Sequence, residues 1–169
     1  MYNCCSSRNP GPEERGYDGH TPVQPGSGEG GRENAMALKI TLKANERLVA
    51  GGAVIRNTSG KCELVIENNV PILREREILS EKKATTPCRR IYFIIQLMYI
   101  DEANIAEYHK TYWSLVNDVV QAAPSTITLI NQINEQILAG RHYQALKIAK
   151  RLIEYEDEAM AQAARSGGG

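Results

Sequence analysis

The sequence predicts an α+β fold: a small N-terminal antiparallel β-sheet packed on a C-terminal bundle of about four helices. Three observations carry that prediction. Apolar residues alternate with polar ones from Leu38 onward, in short runs separated by turn residues. From Ile91 to Ile100 the only strongly polar side chain is Gln96, as expected of a helix buried on all sides. Beyond Asp101, apolar residues recur at three- and four-residue spacing in three further stretches.

A chain of 169 residues makes one ordinary domain, or one domain with a tail, and can bury a substantial core. Residues 1–35 are rich in Gly, Pro, Ser and Glu and almost free of aliphatics. They read as a disordered extension, with the natural start at Met36. Residues 36–84 form a basic antiparallel sheet region and linker, 85–163 a helical region, and 164–169 a second disordered tail.

The strands follow from period two. Leu38, Ile40 and Leu42 alternate with Lys39, Thr41 and Lys43, giving a half-buried strand with a basic outer face. Ala44-Asn45 turns the chain into Arg47–Ala50. Gly51-Gly52 turns it again into Ala53–Arg56, and Asn57–Gly60 leads to Cys62–Ile66. Val70–Leu73 is a fifth strand that Pro71 confines to a sheet edge. The sheet is one-sided and needs a cover. Arg74–Lys83 reads as a charged linker or short helical turn, anchored by Ile78 and Leu79.

The central helix spans Thr85–Ile100, capped by Thr85 or Thr86 with Pro87 in its first turn. The ten residues Ile91–Ile100 are too few to cross a bilayer, which needs roughly 20. Asp101 is the expected cap of the next helix, which carries Ile105, Tyr108, Tyr112, Leu115, Val116, Val119 and Val120 and stops before Pro124. Ser125 is the expected cap of a third helix with Ile127, Ile130, Ile133 and Ile137. Gly140 closes that helix, and a fourth carries Tyr143, Leu146, Ala149, Leu152, Ile153 and Met160. Two helices joined at Gly140 make one helical hairpin; no second copy is present, which excludes a repeat array.

Formal charge is zero but unevenly placed. Met36–Ile100 holds 11 Lys/Arg against 6 Asp/Glu, and Asp101–Met160 holds 5 against 9. A basic first half suits a polyanion, although such a dipole also fits homo-oligomerisation. Cys4, Cys5, Cys62 and Cys88 lack the spacing of a disulfide framework or a zinc site, so a reduced, cytoplasmic protein without membrane span, metal or cofactor is expected. His109 and His142 fall on different helices, and Ser114, Cys62 and Cys88 have no base nearby in sequence, so no catalytic constellation forms. Glu154, Glu156, Asp157 and Glu158 read as a solvated face.

The candidate RNA-binding residues are Lys39, Lys43, Arg56, Arg74, Arg76, Lys82, Lys83, Arg89 and Arg90, set against the plainer reading of a solvated surface. Arg47 and Lys61 belong to the same basic set. Arg89 and Arg90 lie in the first turn of the central helix, where the dipole disfavours cations. Their compensating anion is either internal, from Glu75, Glu77 or Glu81, or an external phosphate at the helix N-terminus. Tyr92, Phe93 and Tyr99 lie within the buried helix, so an exposed stacking platform for bases is not evident. Tyr108, Tyr112 and Trp113 are either core or a surface for a protein partner.

Val70-Pro71-Ile72-Leu73-Arg74-Glu75 with Ile78-Leu79, then Thr86-Pro87-Cys88-Arg89-Arg90-Ile91-Tyr92-Phe93 and Gln96-Leu97-Met98-Tyr99, resemble the flagellum biosynthesis repressor family, FlbT. Leu38–Arg47, Gly52–Asn57 and Gly140-Arg141 leading to Tyr143 and Ala145-Leu146 are similar too, so the likeness covers Met36 to Glu156. Residues 1–35 have no counterpart in the family pattern, and Cys88 stands where a small apolar residue is expected. The resemblance implies a bacterial cytoplasmic regulator that associates with the 5′ untranslated region of flagellin mRNA, blocks its translation and promotes its degradation. It implies no catalytic residue and no cofactor. It sharpens the phosphate reading of Arg89 and Arg90. The alternative is an adaptor that binds flagellin or another flagellar regulatory protein and acts on mRNA only indirectly.

Overall fold

The computed structural model describes residues 37–166. The extension and start assigned to residues 1–36, and the tail at 167–169, lie outside the described residues. Residues 164–166, assigned to that tail, belong instead to the last helix.

Five strands and four helices follow in the order the sequence predicts: β1 (Leu38–Leu42), β2 (Arg47–Ala50), β3 (Ala53–Arg56), β4 (Cys62–Ile66), β5 (Ile72–Arg74), α1 (Pro87–Ile100), α2 (Ile105–Ala122), α3 (Ile127–Leu138) and α4 (His142–Ser166). The strands form two antiparallel sheets rather than one. β1 pairs with β4, Leu38 opposite Ile66 and Leu42 opposite Cys62. β2 is the centre of the other sheet, flanked by β3 and β5. The β2–β3 hairpin turns through Gly51 and Gly52, both at positive φ (55° and 82°), the geometry that a two-residue hairpin loop demands.

The division has a physical reason in β2. Leu48 and Val49 are adjacent and both buried, so the strand is apolar on both faces. Leu48 packs with Ile40 and Leu42, while Val49 and Leu73 join the helical core. The three-stranded sheet is thus covered by the β1–β4 ribbon on one face and by helices on the other. Asn57, buried after β3, pins the turns of the two sheets together. Its amide donates to the carbonyls of Leu42 (3.3 Å), Lys43 (2.9 Å) and Gly60 (2.6 Å), and its oxygen accepts from the Ser59 N–H (3.1 Å).

α1 is the central element, and none of its residues from Ile91 to Ile100 is exposed. Its polar groups fall at 92, 96 and 99, one stripe of the helix, and all three engage the backbone of the 72–79 segment. The Tyr92 hydroxyl donates to the Glu77 carbonyl (2.7 Å), and the Tyr99 hydroxyl accepts from the Ile72 N–H (3.2 Å). Gln96 accepts from the Leu79 N–H (2.8 Å) and donates to the Leu79 carbonyl (3.0 Å), as a neighbouring strand would. The charged linker is therefore two 3-10 turns, Glu75–Glu77 and Glu81–Lys83, fastened to the helix.

Two expected caps do different work. Asp101 accepts from the Asn104 amide (2.9 Å) and the Tyr108 hydroxyl (2.6 Å), because a 3-10 turn at Glu102–Asn104 precedes α2. Ser125 lies in the 3-10 turn Pro124–Thr126 and meets the Tyr155 hydroxyl at 2.6 Å. Gly140, at φ 70°, closes α3 as expected. Its N–H donates to Ile137 (2.9 Å), and the Arg141 N–H donates to Gln136 (2.8 Å), which reverses the chain into α4. Tyr112 is wholly buried, its hydroxyl donating to Asn134 (2.6 Å), so it belongs to the core, whereas Trp113 is exposed.

Candidate nucleic-acid interface

The start of α1 is the place where an external phosphate would compete with an internal anion, and an internal carboxylate occupies it. Thr86 caps the helix, its oxygen accepting from the Arg89 N–H (3.4 Å). The same hydroxyl donates to Glu156 of α4, which also accepts from the Cys88 N–H (3.2 Å). Arg89 is held by the same helix, 2.9 Å from Asp157 and 3.7 Å from Glu156. The compensating anion is thus internal, but it comes from α4 rather than from Glu75, Glu77 or Glu81. Of the acidic run, Glu156 faces inward instead of joining a solvated surface, whereas Asp157 stays exposed and reaches Arg89 from the rim. Burial, with Glu156 beside it, pushes the Cys88 thiol up to about 12, so it stays protonated and unreactive at neutral pH.

The upstream acids have other work. Glu75 is forked by Arg47: the guanidinium donates to its oxygens at 2.7–3.1 Å and the Arg47 N–H at 2.7 Å. That pairing holds the Glu75 carboxyl below the usual carboxylate range, and the nearby Arg56 adds to the effect. Glu77 accepts from the Arg74 N–H (2.9 Å) and from the Tyr143 hydroxyl (2.8 Å).

Of the nine candidate cations, Arg89 alone is tied to carboxylates among the described residues. Lys39, Lys43, Arg56, Arg74, Arg76, Lys82, Lys83 and Arg90 are exposed. The structure brings together Lys43, Arg74 and Arg76, which line a shallow groove of about 550 Å³ with the Ala44–Glu46 turn and Glu75. Arg56 stands opposite Arg47 in the β2–β3 ladder, beside this groove. Glu75 is already balanced by Arg47, so the groove keeps a net positive lining even after Glu46 is counted. Lys82, Lys83 and Arg90 are apart from it, at the other end of the linker, where the Arg90 guanidinium donates to the Ala84 carbonyl (3.4 Å). Lys39 lies on the outer face of β1, across from Val65.

Two further hollows were not legible in the sequence. One is lined by Arg76, Lys147 and Lys150 with Tyr143. The 143, 147, 150 spacing, which puts these residues on one face of a helix, is the signal that could have found it. The other is apolar, about 340 Å³, between the start of α1, the end of α2 and α4, with Cys88, Val119, Ala122 and Met160 in its walls. No group of three His, Cys, Asp or Glu side chains is placed to hold a metal among the described residues. Among the described residues, no helix is long and apolar enough to cross a membrane.

Comparison with known proteins gives one family. The model of the family described as "Flagellar protein FlbT" matches residues 38–160. The chain is 47% identical over 128 residues to "Probable flagellum biosynthesis repressor protein FlbT 1" of Bradyrhizobium diazoefficiens, covering 75% of this chain and 87% of that protein. It is 38% identical over 125 residues to the FlbT of Caulobacter sp. strain K31, covering 73% of this chain and 95% of that one. It is 34% identical over 125 residues to "Flagellum biosynthesis repressor protein FlbT" of Caulobacter vibrioides, covering 73% and 89%. No solved structure matches.

Proposed function

We propose, from the premise that this chain belongs to the flagellar protein FlbT family, that it is a non-catalytic repressor of flagellum biosynthesis acting in the cytoplasm on flagellin mRNA. In this reading it associates with the 5′ untranslated region, blocks translation and promotes degradation of the transcript. The observation that carries it is the groove of Lys43, Arg74 and Arg76 on the basic half of the fold, three cations with no ion-pair partner among the described residues. Uncommitted cations around a hollow suit a phosphate backbone, and the counterions released on binding make the affinity depend on salt. Lys39, Arg56, Lys82, Lys83 and Arg90 extend the reach of that surface as exposed charges. Arg89 supports it from within, since its guanidinium is held by α4.

The test is a titration of purified protein against flagellin leader RNA at several salt concentrations. Affinity should fall steeply as salt rises. The Lys43→Glu, Arg74→Glu variant should bind roughly tenfold more weakly or worse, with a salt slope shallower by about 1.4, two contacts at about 0.7 each on single strands. The adaptor reading is favoured by the apolar hollow beside Cys88 and Met160, a surface suited to protein. It predicts no RNA binding by the isolated protein, and that outcome would replace the first reading.

A further inference from the structure

The acidic half of the chain contributes cations that its charge balance hides. Lys147 and Lys150 on α4, with Arg76 from the 3-10 turn after β5, line a cleft of about 220 Å³. None of the three is in an ion pair among the described residues. The cleft's one carboxylate, Glu77, has both oxygens committed, to the Tyr143 hydroxyl and the Arg74 N–H. Three free cations around one engaged carboxylate leave a positive hollow, and the Leu73 and Leu146 walls concentrate its field. Neither aromatic ring here is free: Tyr92 is buried in the core, the Lys147 ammonium sits 4.6 Å from the centroid of Tyr143, and the Tyr99 ring packs 5.6 Å from Tyr143. The cleft therefore offers charge rather than a free stacking face. Arg76 also lines the groove of Lys43 and Arg74, so the two hollows share a wall.

We propose that this cleft seats a backbone phosphodiester of bound RNA, so that α4 carries the strand onward from the groove at the sheet. The inference rests on the RNA-binding reading above and adds Lys147 and Lys150 as phosphate contacts blind to sequence. The full chain and a Lys147→Gln, Lys150→Gln variant are titrated against flagellin leader RNA and a scrambled RNA of equal length. The expected result is weaker binding by the same factor, about tenfold, on both RNAs, with a salt slope shallower by about 1.4. An unsubstituted chain that binds with a steep salt slope, beside a variant that binds equally well, overturns this inference and leaves the groove reading standing. A loss confined to the leader sequence overturns it as well. Absence of binding by the unsubstituted chain overturns both. Both lysines are exposed, so the thermal midpoint should not move. Lys150→Gln alone, which spares the Lys147–Tyr143 contact, carries the test if the paired variant shifts it.

Discussion

At the scale of single residues, the buried side-chain polar atoms of the described residues are matched one by one, and His142 is the exception. Its Nε2 is buried without a hydrogen-bond partner. A neutral ring can leave that nitrogen unprotonated, but a charged ring would bury an unsatisfied N–H. Burial pushes the His142 pKa below its ordinary value, and the charge of His109 adds to the effect while Glu102 opposes it. Its place at the positive end of α4 works in the same direction. A histidine with a lowered folded pKa binds protons more readily when unfolded. Stability is then lost as pH falls through the ordinary histidine value of 6.5 toward the lower folded value. The thermal midpoint should therefore drop between about pH 7 and 5 in the unsubstituted protein. His142→Gln should flatten part of that slope, and an unchanged slope would mean the acid sensitivity arises elsewhere.

At the scale of elements, the stripe of Tyr92, Gln96 and Tyr99 fixes where the strand layer meets the helices. Gln96 is the sharpest member, because it satisfies the N–H and the carbonyl of the same residue, Leu79. Gln96→Leu keeps the volume and strands both backbone groups, so it should cost about 1–3 kcal/mol in denaturant unfolding. A variant as stable as the parent would show that water replaces the side chain. The polar residue in the apolar run was legible in the sequence, but its purpose was not, since nothing local names a partner 17 residues away. The same limit explains the other differences. Period-two patterning located the strands, with β5 displaced to Ile72–Arg74 because Pro71 has no N–H to give a ladder. Patterning could not say which strand pairs with which, so two stacked sheets read as one. The adjacent apolar pair Leu48-Val49 was the available sign of a strand covered on both faces. Asp101 and Ser125 had the chemistry of caps, but the 3-10 turns in front of α2 and α3 redirected them. Among the site residues, charge density exposed the sheet-side cations, whereas the acids around Lys147 and Lys150 concealed theirs.

At the scale of the whole molecule, α4 joins the basic and acidic halves through chemistry rather than through bulk charge. Its Tyr143 holds Glu77 beside the sheet, and its Glu156 and Asp157 hold the beginning of α1. The acidic run therefore spends part of its charge neutralising a cation that the helix dipole would otherwise disfavour. Neighbouring arginines with the same formal charge should for this reason behave differently. Arg89→Glu would set a third carboxylate against Glu156 and Asp157 in a partly buried site, and about 1–3 kcal/mol of stability should be lost. Arg90→Glu, on an exposed side chain whose one hydrogen bond among the described residues is to the Ala84 carbonyl, should stay within about 0.5 kcal/mol. Glu156→Gln should weaken the Arg89 pairing and loosen the cap at once, so a double-mutant cycle between Arg89 and Glu156 should return a coupling of about 0.5–3 kcal/mol. Equal stability losses for the two arginine reversals would mean that the α4 carboxylates do not distinguish them. The start of α1 would then be an open anion site after all, with Arg89 available to a phosphate from outside.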